Sequence, residues 1–178
     1  ICQIRAKQDL SQLIAEWGAL PNHRQRWCTR VLKIEPFQAF MFSLAKEYDR
    51  VIAYVGLRAD EPEREGAIYP TSHNSGAFKA LRVEQRYPLR EWGWTVRDVW
   101  RYLQERGITI PKRTDCARCF WQTLAEWKSL SEEHPALYED AIRQEKETGH
   151  TFRSPSRDTW PADLESLRAE FQSGRPLR

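Results

Sequence analysis

The feature that most restricts how this chain folds is a pair of thiols. Cys116 and Cys119 stand in the run Thr114-Asp115-Cys116-Ala117-Arg118-Cys119-Phe120-Trp121. Two sulfurs at C-x-x-C spacing grip one metal ion, one corner of an iron–sulfur cluster, or each other. A third cysteine, Cys28, lies far upstream in Arg26-Trp27-Cys28-Thr29. If the three sulfurs share a site, two distant stretches of chain are pinned at one point. Zinc takes four ligands, and no second C-x-x-C or H-x-x-x-H supplies the remainder. A redox dithiol accords with a helix after Cys119, but the βαβ context that accompanies such a motif is missing upstream. Iron–sulfur ligation by Cys28, Cys116 and Cys119 fits the cysteine usage best, with Cys2, another group or an open position as the fourth site. Buried structural thiols are the plain alternative.

At 178 residues, with 40% hydrophobic and 12% aromatic side chains, the chain builds a real core and is one domain, or one domain with an appendage. Its net charge of +3, from 28 Lys+Arg against 25 Asp+Glu, is too balanced to argue nucleic-acid binding. The basic side is mostly arginine, which suits phosphate or sulfate. No apolar run approaches the length of a membrane span and no basic-then-apolar leader opens the chain, so a cytoplasmic protein with reduced thiols or metal ligands is expected. The chain starts at Ile1 rather than methionine, as an excised fragment would.

Periodicity supplies the elements. Ile1-Cys2-Gln3-Ile4 has the alternation of a short strand. Leu10, Leu13, Ile14 and Trp17 place an amphipathic helix over about Asp9 to Trp17, ended by Gly18 and Pro21. Thr29 to Ile34 reads as helical, and Pro36 suits the first turn of a further piece carrying Phe37, Phe40, Met41 and Leu44. Val51-Ile52-Ala53-Tyr54-Val55 is a continuous apolar run of the kind found in buried parallel strands. Residues 66–80 read as a loop, and Leu81, Val83, Gln85 and Tyr87 alternate as a half-exposed strand ending at Pro88. Thr95 with Asp98 forms a capping box for a helix burying Val96, Val99, Trp100 and Leu103, closed by Gly107. Three more helices follow: one burying Leu124 and Trp127, one from Pro135 burying Leu137, Tyr138, Ala141 and Ile142, and one from near Pro161 burying Leu164, Leu167 and Phe171. The expected organisation is a partial parallel α/β domain over residues 1–112 and a helical C-terminal region with the C-x-x-C over 113–178.

A second candidate site follows the apolar strand. Gly56-Leu57-Arg58-Ala59-Asp60-Glu61-Pro62-Glu63-Arg64 sits at a strand end, where open α/β sheets place ligands. Arg58 and Arg64 around Glu61 are receptors for sulfate or phosphate oxygens, or else a solvated charged loop. Lys33 could join that site or be an ordinary surface lysine. His23, His73, His134 and His150 form no nucleophile or metal spacing. Among the eight tryptophans, Trp17, Trp100 and Trp127 fall on apolar helical faces, which favours core packing over base stacking.

Taken in order, Arg26-Trp27-Cys28-Thr29 with Lys33 and Pro36, Gly56-Leu57-Arg58 with Glu61 and Arg64, Tyr87-Pro88-Leu89, Trp94-Thr95, Asp98-Val99-Trp100 and Cys116-x-x-Cys119 resemble the phosphoadenosine phosphosulfate reductase family. That family lies within the PP-loop, or adenine nucleotide alpha-hydrolase-like, superfamily. The likeness runs from about residue 10 to 130, and the tail resembles a phage and defence-type branch. It implies a Rossmann-like α/β fold with Lys33, Arg58, Glu61 and Arg64 around an adenine nucleotide or sulfonucleotide. It also implies a 4Fe–4S cluster on Cys28, Cys116 and Cys119, zinc being the alternative, in a protein that transfers sulfur to a nucleotide or nucleic acid. Three departures qualify the likeness. A phosphate loop of the Ser-Gly-Gly-Lys-Asp-Ser type is absent and is expected upstream of Ile1, together with the first strands. The end, Ser173 to Arg178, carries no thiol to attack a sulfonucleotide, and one cysteine stands where cluster-bearing reductases show two. The rival expectation is therefore a degenerate member serving as a binding subunit in a nucleoprotein assembly.

Overall fold

The computed structural model describes residues 2–64, 83–110 and 116–177. The chain is of α/β class and divides into two compact units, and each uses its own stretches of sequence. One holds Ile1–Arg5 and Ile34–Thr114, and the other holds Ala6–Lys33 and Asp115–Arg178. The helical unit thus takes in the first helix as well as the C-terminal region, so it does not follow a cut at residue 112.

In the helical unit, α1 (Leu10–Trp17) opens on a capping box. The Asp9 carboxylate accepts the Gln12 amide at 2.9 Å while Gln12 Oε1 accepts the Asp9 amide at 2.8 Å. It ends at Gly18 in the left-handed region (φ 59°), which glycine enters without a Cβ clash. α2 (Trp27–Thr29) carries Cys28 and runs into a five-residue π turn over Arg30–Ile34. Three later helices complete the unit: α6 (Leu124–Glu133), α7 (Pro135–Thr148) and α8 (Leu164–Gln172). Their apolar faces meet those of α1 in a core of Leu13, Ile14, Trp127, Tyr138, Ala141, Leu164 and Leu167, with Trp27 at its margin. Burial of this area is the main source of stability here. Phe152, in the loop after α7, closes the core beside Trp127 with ring centroids 6.1 Å apart.

The other unit begins with α3 (Glu35–Glu47), whose Pro36 lies in the first turn where its missing N–H costs nothing. β1 (Val51–Tyr54) pairs in parallel with β2 (Val83–Arg86), and Val51 lies opposite Val83. Met41 of α3 packs on Val51 and Ala53 to make a small core. α4 (Pro88–Glu91) and α5 (Val96–Glu105) follow, the latter opened by Thr95, whose N–H and hydroxyl both donate to the Asp98 carboxylate at 2.9 and 2.7 Å.

Several expectations fail in instructive ways. Residues 2–4 form no strand, since alternation over so short a run has no neighbour to pair with. β1 is not buried throughout: it alternates, with Val51 and Ala53 inside and Tyr54 71% exposed. Trp17, Trp100 and Leu137 are exposed rather than core residues. In α7 the inward row passes through Tyr138 instead, and α5 shows only half-buried Val96, Val99 and Leu103 within its unit. The loop expected over 66–80, with His73, and the strand start at Leu81 lie outside the described residues.

Candidate functional site

The three cysteines singled out for metal ligation all fall in the helical unit. Cys28 and Ala117 both pack against its core, and Cys28 and Cys119 are half-buried while Cys116 is exposed. No disulfide joins any of the four cysteines. Two side chains hold the C-x-x-C turn in place. The buried Gln122 amide Nε2 donates to the carbonyl oxygens of Cys116 (3.4 Å) and Ala117, and the Gln122 backbone N–H donates to the Cys119 carbonyl at 3.0 Å. Arg118, between the two thiols, reaches across to α1 and donates to Ser11 Oγ at 3.0 Å; burial lowers its guanidinium pKa from the ordinary value. Ser11 Oγ also accepts Gln144 Nε2 at 3.1 Å, which ties the turn to α7.

Among the described residues, no three His, Cys, Asp or Glu side chains converge closely enough to hold a metal ion. The surroundings of the cysteines nevertheless suit a sulfur-rich anion. Buried side-chain polar atoms without a hydrogen-bond partner include Trp27 Nε1, Arg118 Nη1 and Gln122 Oε1. These residues adjoin Cys28, lie between Cys116 and Cys119, and hold the turn, respectively. Trp27 Nε1 and Arg118 Nη1 are N–H donors, and buried donors left unsatisfied cost free energy and can pair with the sulfurs of a thiolate site, whereas Gln122 Oε1 is an acceptor. By donor chemistry the three thiols are of the kind that an iron–sulfur group takes, although their side chains do not converge on one point.

The strand-end arginines lie in the other unit. Asp60 and Glu61, rather than an open receptor, occupy them. Arg58 Nε donates to Asp60 Oδ1 at 2.9 Å, and Arg64 Nη1 donates to Glu61 Oε1 at 2.7 Å. The Glu61 side chain, 14% exposed, also accepts the Arg58 backbone N–H at 3.3 Å. The Arg64 hydrogen bond holds the Glu61 carboxyl below its ordinary pKa against the opposing effect of burial. Burial pushes Asp60 up, but the Arg58 guanidinium and the Val96 amide carry it below its usual value.

Arg90 of α4 organises the whole loop. Its Nε donates to the Arg58 carbonyl at 3.3 Å and its Nη2 to the carbonyls of Glu61 and Arg64. Three guanidinium groups thus accompany the three carboxylates of Asp60, Glu61 and Glu63, and Arg90 directs its donors to backbone carbonyls. Arg90 was not among the residues expected from sequence, although it directly follows Tyr87-Pro88-Leu89. Gln122, three positions after Cys119, escaped notice in the same way, since only the fold brings either side chain to its carbonyls. Lys33, exposed in the π turn, belongs to the unit of the cysteines.

Residues 3–114 match the family model described as the phosphoadenosine phosphosulfate reductase domain. That stretch contains Cys28, Lys33, Arg58, Glu61, Arg64 and Arg90 and ends just before Cys116. Two relatives come from Methanocaldococcus jannaschii. The uncharacterized protein MJ0066 is 26% identical over 132 residues, which is 71% of this chain and 26% of that protein. The uncharacterized protein MJ0973 is 25% identical over 153 residues, 82% of this chain and 35% of that protein. The chain therefore spans about a quarter to a third of the length of these relatives. No solved structure matches it significantly.

Proposed function

The chain belongs to the phosphoadenosine phosphosulfate reductase domain family of the PP-loop, adenine nucleotide alpha-hydrolase-like superfamily, and from that premise we propose that it is the iron–sulfur component of a cytoplasmic sulfur-transfer protein acting on a nucleotide or nucleic acid. The supporting observation is the coincidence of Cys28, Cys116 and Cys119 in one compact unit with unpartnered buried N–H groups on Trp27 and Arg118. Such a cluster, when bound, supplies electrons or a transferable sulfide. The protein's own contribution is to fix the geometry. Gln122 and Arg118 hold the turn that presents two thiols, and the core beneath Cys28 holds the third. In the other unit, Arg58 and Arg64, steadied by Arg90, would meet the anionic oxygens of an adenine nucleotide or sulfonucleotide by exchanging Asp60 and Glu61 for phosphate or sulfate.

That exchange also supports a second reading. Guanidinium groups already paired with carboxylates make a self-contained loop, as in a catalytically silent binding or accessory subunit. One experiment tests the cluster on which the first reading rests. Purified anaerobically, the protein should be brown and carry iron with labile sulfide, and Cys28→Ala should remove that iron as fully as Cys116→Ala or Cys119→Ala. Cys2→Ala should leave it in place. A colourless protein loaded with zinc overturns the cluster, and iron retained in Cys28→Ala removes Cys28 from it.

A further inference from the structure

We propose that the cleft between the C-x-x-C turn and the loop after α7 binds a nucleotide, gripping its phosphate with Arg24 and Arg157 and stacking its base on Trp121. The described residues that line it all belong to the helical unit, and the site does not require the cysteines to hold a cluster.

The cleft measures about 840 Å³, within the range of about 300–1,000 Å³ typical of small-ligand pockets. His23 and Arg24 line one side, and Phe120 and Trp121 line another. His150 and Arg157 come from the loop after α7. No carboxylate is among the described residues that line it. Nearby negative potential comes from the C-terminus of α7 at Gly149, equivalent to roughly half a charge, and from Asp158, which pairs with Arg153 and also attracts Arg157. Against these stand the guanidinium charges of Arg24, Arg153 and Arg157.

The walls are fixed before any ligand arrives. Arg153, 1% exposed, donates to both Asp158 carboxylate oxygens at 2.9 and 2.8 Å and to the Pro161 carbonyl. That internal pair offsets most of the charge on the loop's Asp158, which also attracts Arg157. Arg157 then donates through Nη1 to the Phe120 carbonyl at 3.2 Å, which links the loop to the residues following Cys119. Its remaining N–H groups are left for a phosphate. Arg24 has an exposed side chain and forms no ion pair among the described residues. Trp121 is 55% exposed although it adjoins a tightly held turn, and its ring stands 5.3 Å from that of the buried Phe120. An indole supported from behind and open in front, beside arginines, is a stacking platform with a phosphate grip.

The source of that nucleotide is either a free mononucleotide or a unit of a single strand, and the same titration distinguishes them. Fluorescein-labelled twelve-residue oligothymidylate is titrated with the whole chain by anisotropy at several salt concentrations, with thymidine monophosphate as competitor. Trp121→Ala should weaken binding by at least about fivefold, the lower end for loss of one base–aromatic stack. Arg24→Glu, at an exposed position, should weaken it and lower the salt slope by about one or more. Arg143→Ala, on the outer face of α7, should change neither. Competition by monophosphate at equal molarity identifies a free nucleotide, and a large advantage for the oligomer identifies a strand. The proposal is overturned if neither probe binds. It is also overturned if both substitutions leave affinity unchanged, or if Arg64→Ala abolishes binding while Trp121→Ala does not. That last result would return the nucleotide to the strand-end loop and leave the cluster reading untouched.

Discussion

The two units solve the same problem with different means. The helical unit buries Trp127, Tyr138, Leu164 and Leu167 completely and even encloses Arg153 and Glu145. The sheet unit, among its described residues, rests on a core of Met41, Val51 and Ala53 and on a two-stranded parallel pair. A pair of strands is marginal without a covering layer, so much of the order in this unit comes from polar ties. The Arg90 clamp and the Asp98 cap are such ties. Where burial is plentiful, as around Glu145 and Tyr138, it shifts protonation toward the neutral form. Where it is scarce, ionisable groups stay at the surface and are held charged by partners. The difference predicts unlike responses to mutation and to pH, resolved unit by unit through hydrogen exchange.

The largest effect should come from Trp127→Ala, which removes the central ring of the helical core. Large aromatic truncations cost about 3–5 kcal/mol, enough to unfold that unit in a thermal melt. If protection in α6 to α8 survives, the core is not where the stability lies.

The next effect is set by Glu145. Its two carboxylate oxygens accept the Phe152 and Leu164 amides at 2.8 and 2.7 Å, yet burial, the larger influence, raises its pKa to about 7. A carboxyl raised from 4.5 binds its proton more tightly in the folded state. Its contribution is therefore full below pH 4.5 and is lost as pH rises through about 7, by on the order of 3 kcal/mol. The Asp60, Glu61 and Asp98 carboxyls are lowered instead, so their support is complete above their ordinary values and disappears only in stronger acid. Asp158 shares their sign: although burial pushes it up, its bonds to Trp160 and Arg153 carry it down, so it does not enter the window. Between pH 4.5 and 7 the helical unit should lose stability while the sheet unit stays level, and Glu145→Gln should flatten the slope. A common pH response in both units would break the comparison.

Arg90→Ala should release the 58–64 loop, at about 1–3 kcal/mol for carbonyls losing a charged donor. Faster amide exchange at Arg58 to Arg64, with the helical unit unmoved, is the expected reading. Smallest is a matched pair of caps, Thr95→Ala and Thr123→Ala, the latter removing the hydroxyl that caps α6 by accepting the Glu126 amide at 3.3 Å, each worth about 1 kcal/mol. Each should lower protection in its own unit alone, and equal losses in both would mean the two unfold together.

Local chemistry was readable in advance. The helix from Leu10 to Trp17, its end at Gly18, the Thr95–Asp98 box, the proline-led α3 and α7 and the parallel pairing of β1 all follow from spacing within one turn or one strand. The three cysteines were found by type. Whatever depends on distant partners was not legible. Alternation says that Tyr54 and Val51 face opposite ways only if one face is wet, and five apolar letters hid that. Trp100 and Leu137 sit beside the buried row, and an apolar stripe wider than its contact does not reveal its edge. Arg90, Gln122 and Arg118 act on backbone carbonyls or a hydroxyl that only the fold brings to them. Nor does linear order reveal that α1 belongs with α7.

That last arrangement has a consequence for the protein's synthesis. Leu13 and Ile14 emerge from the ribosome early, but the helix they pack against begins at Pro135. At about 5–20 residues per second, roughly ten seconds of translation separate the two. Through that interval the α1 stripe has no native surface to cover it, and a nascent-chain chaperone that reads short apolar segments should find its site there. The helical unit thus closes only after the codons of α7 and α8 have been read.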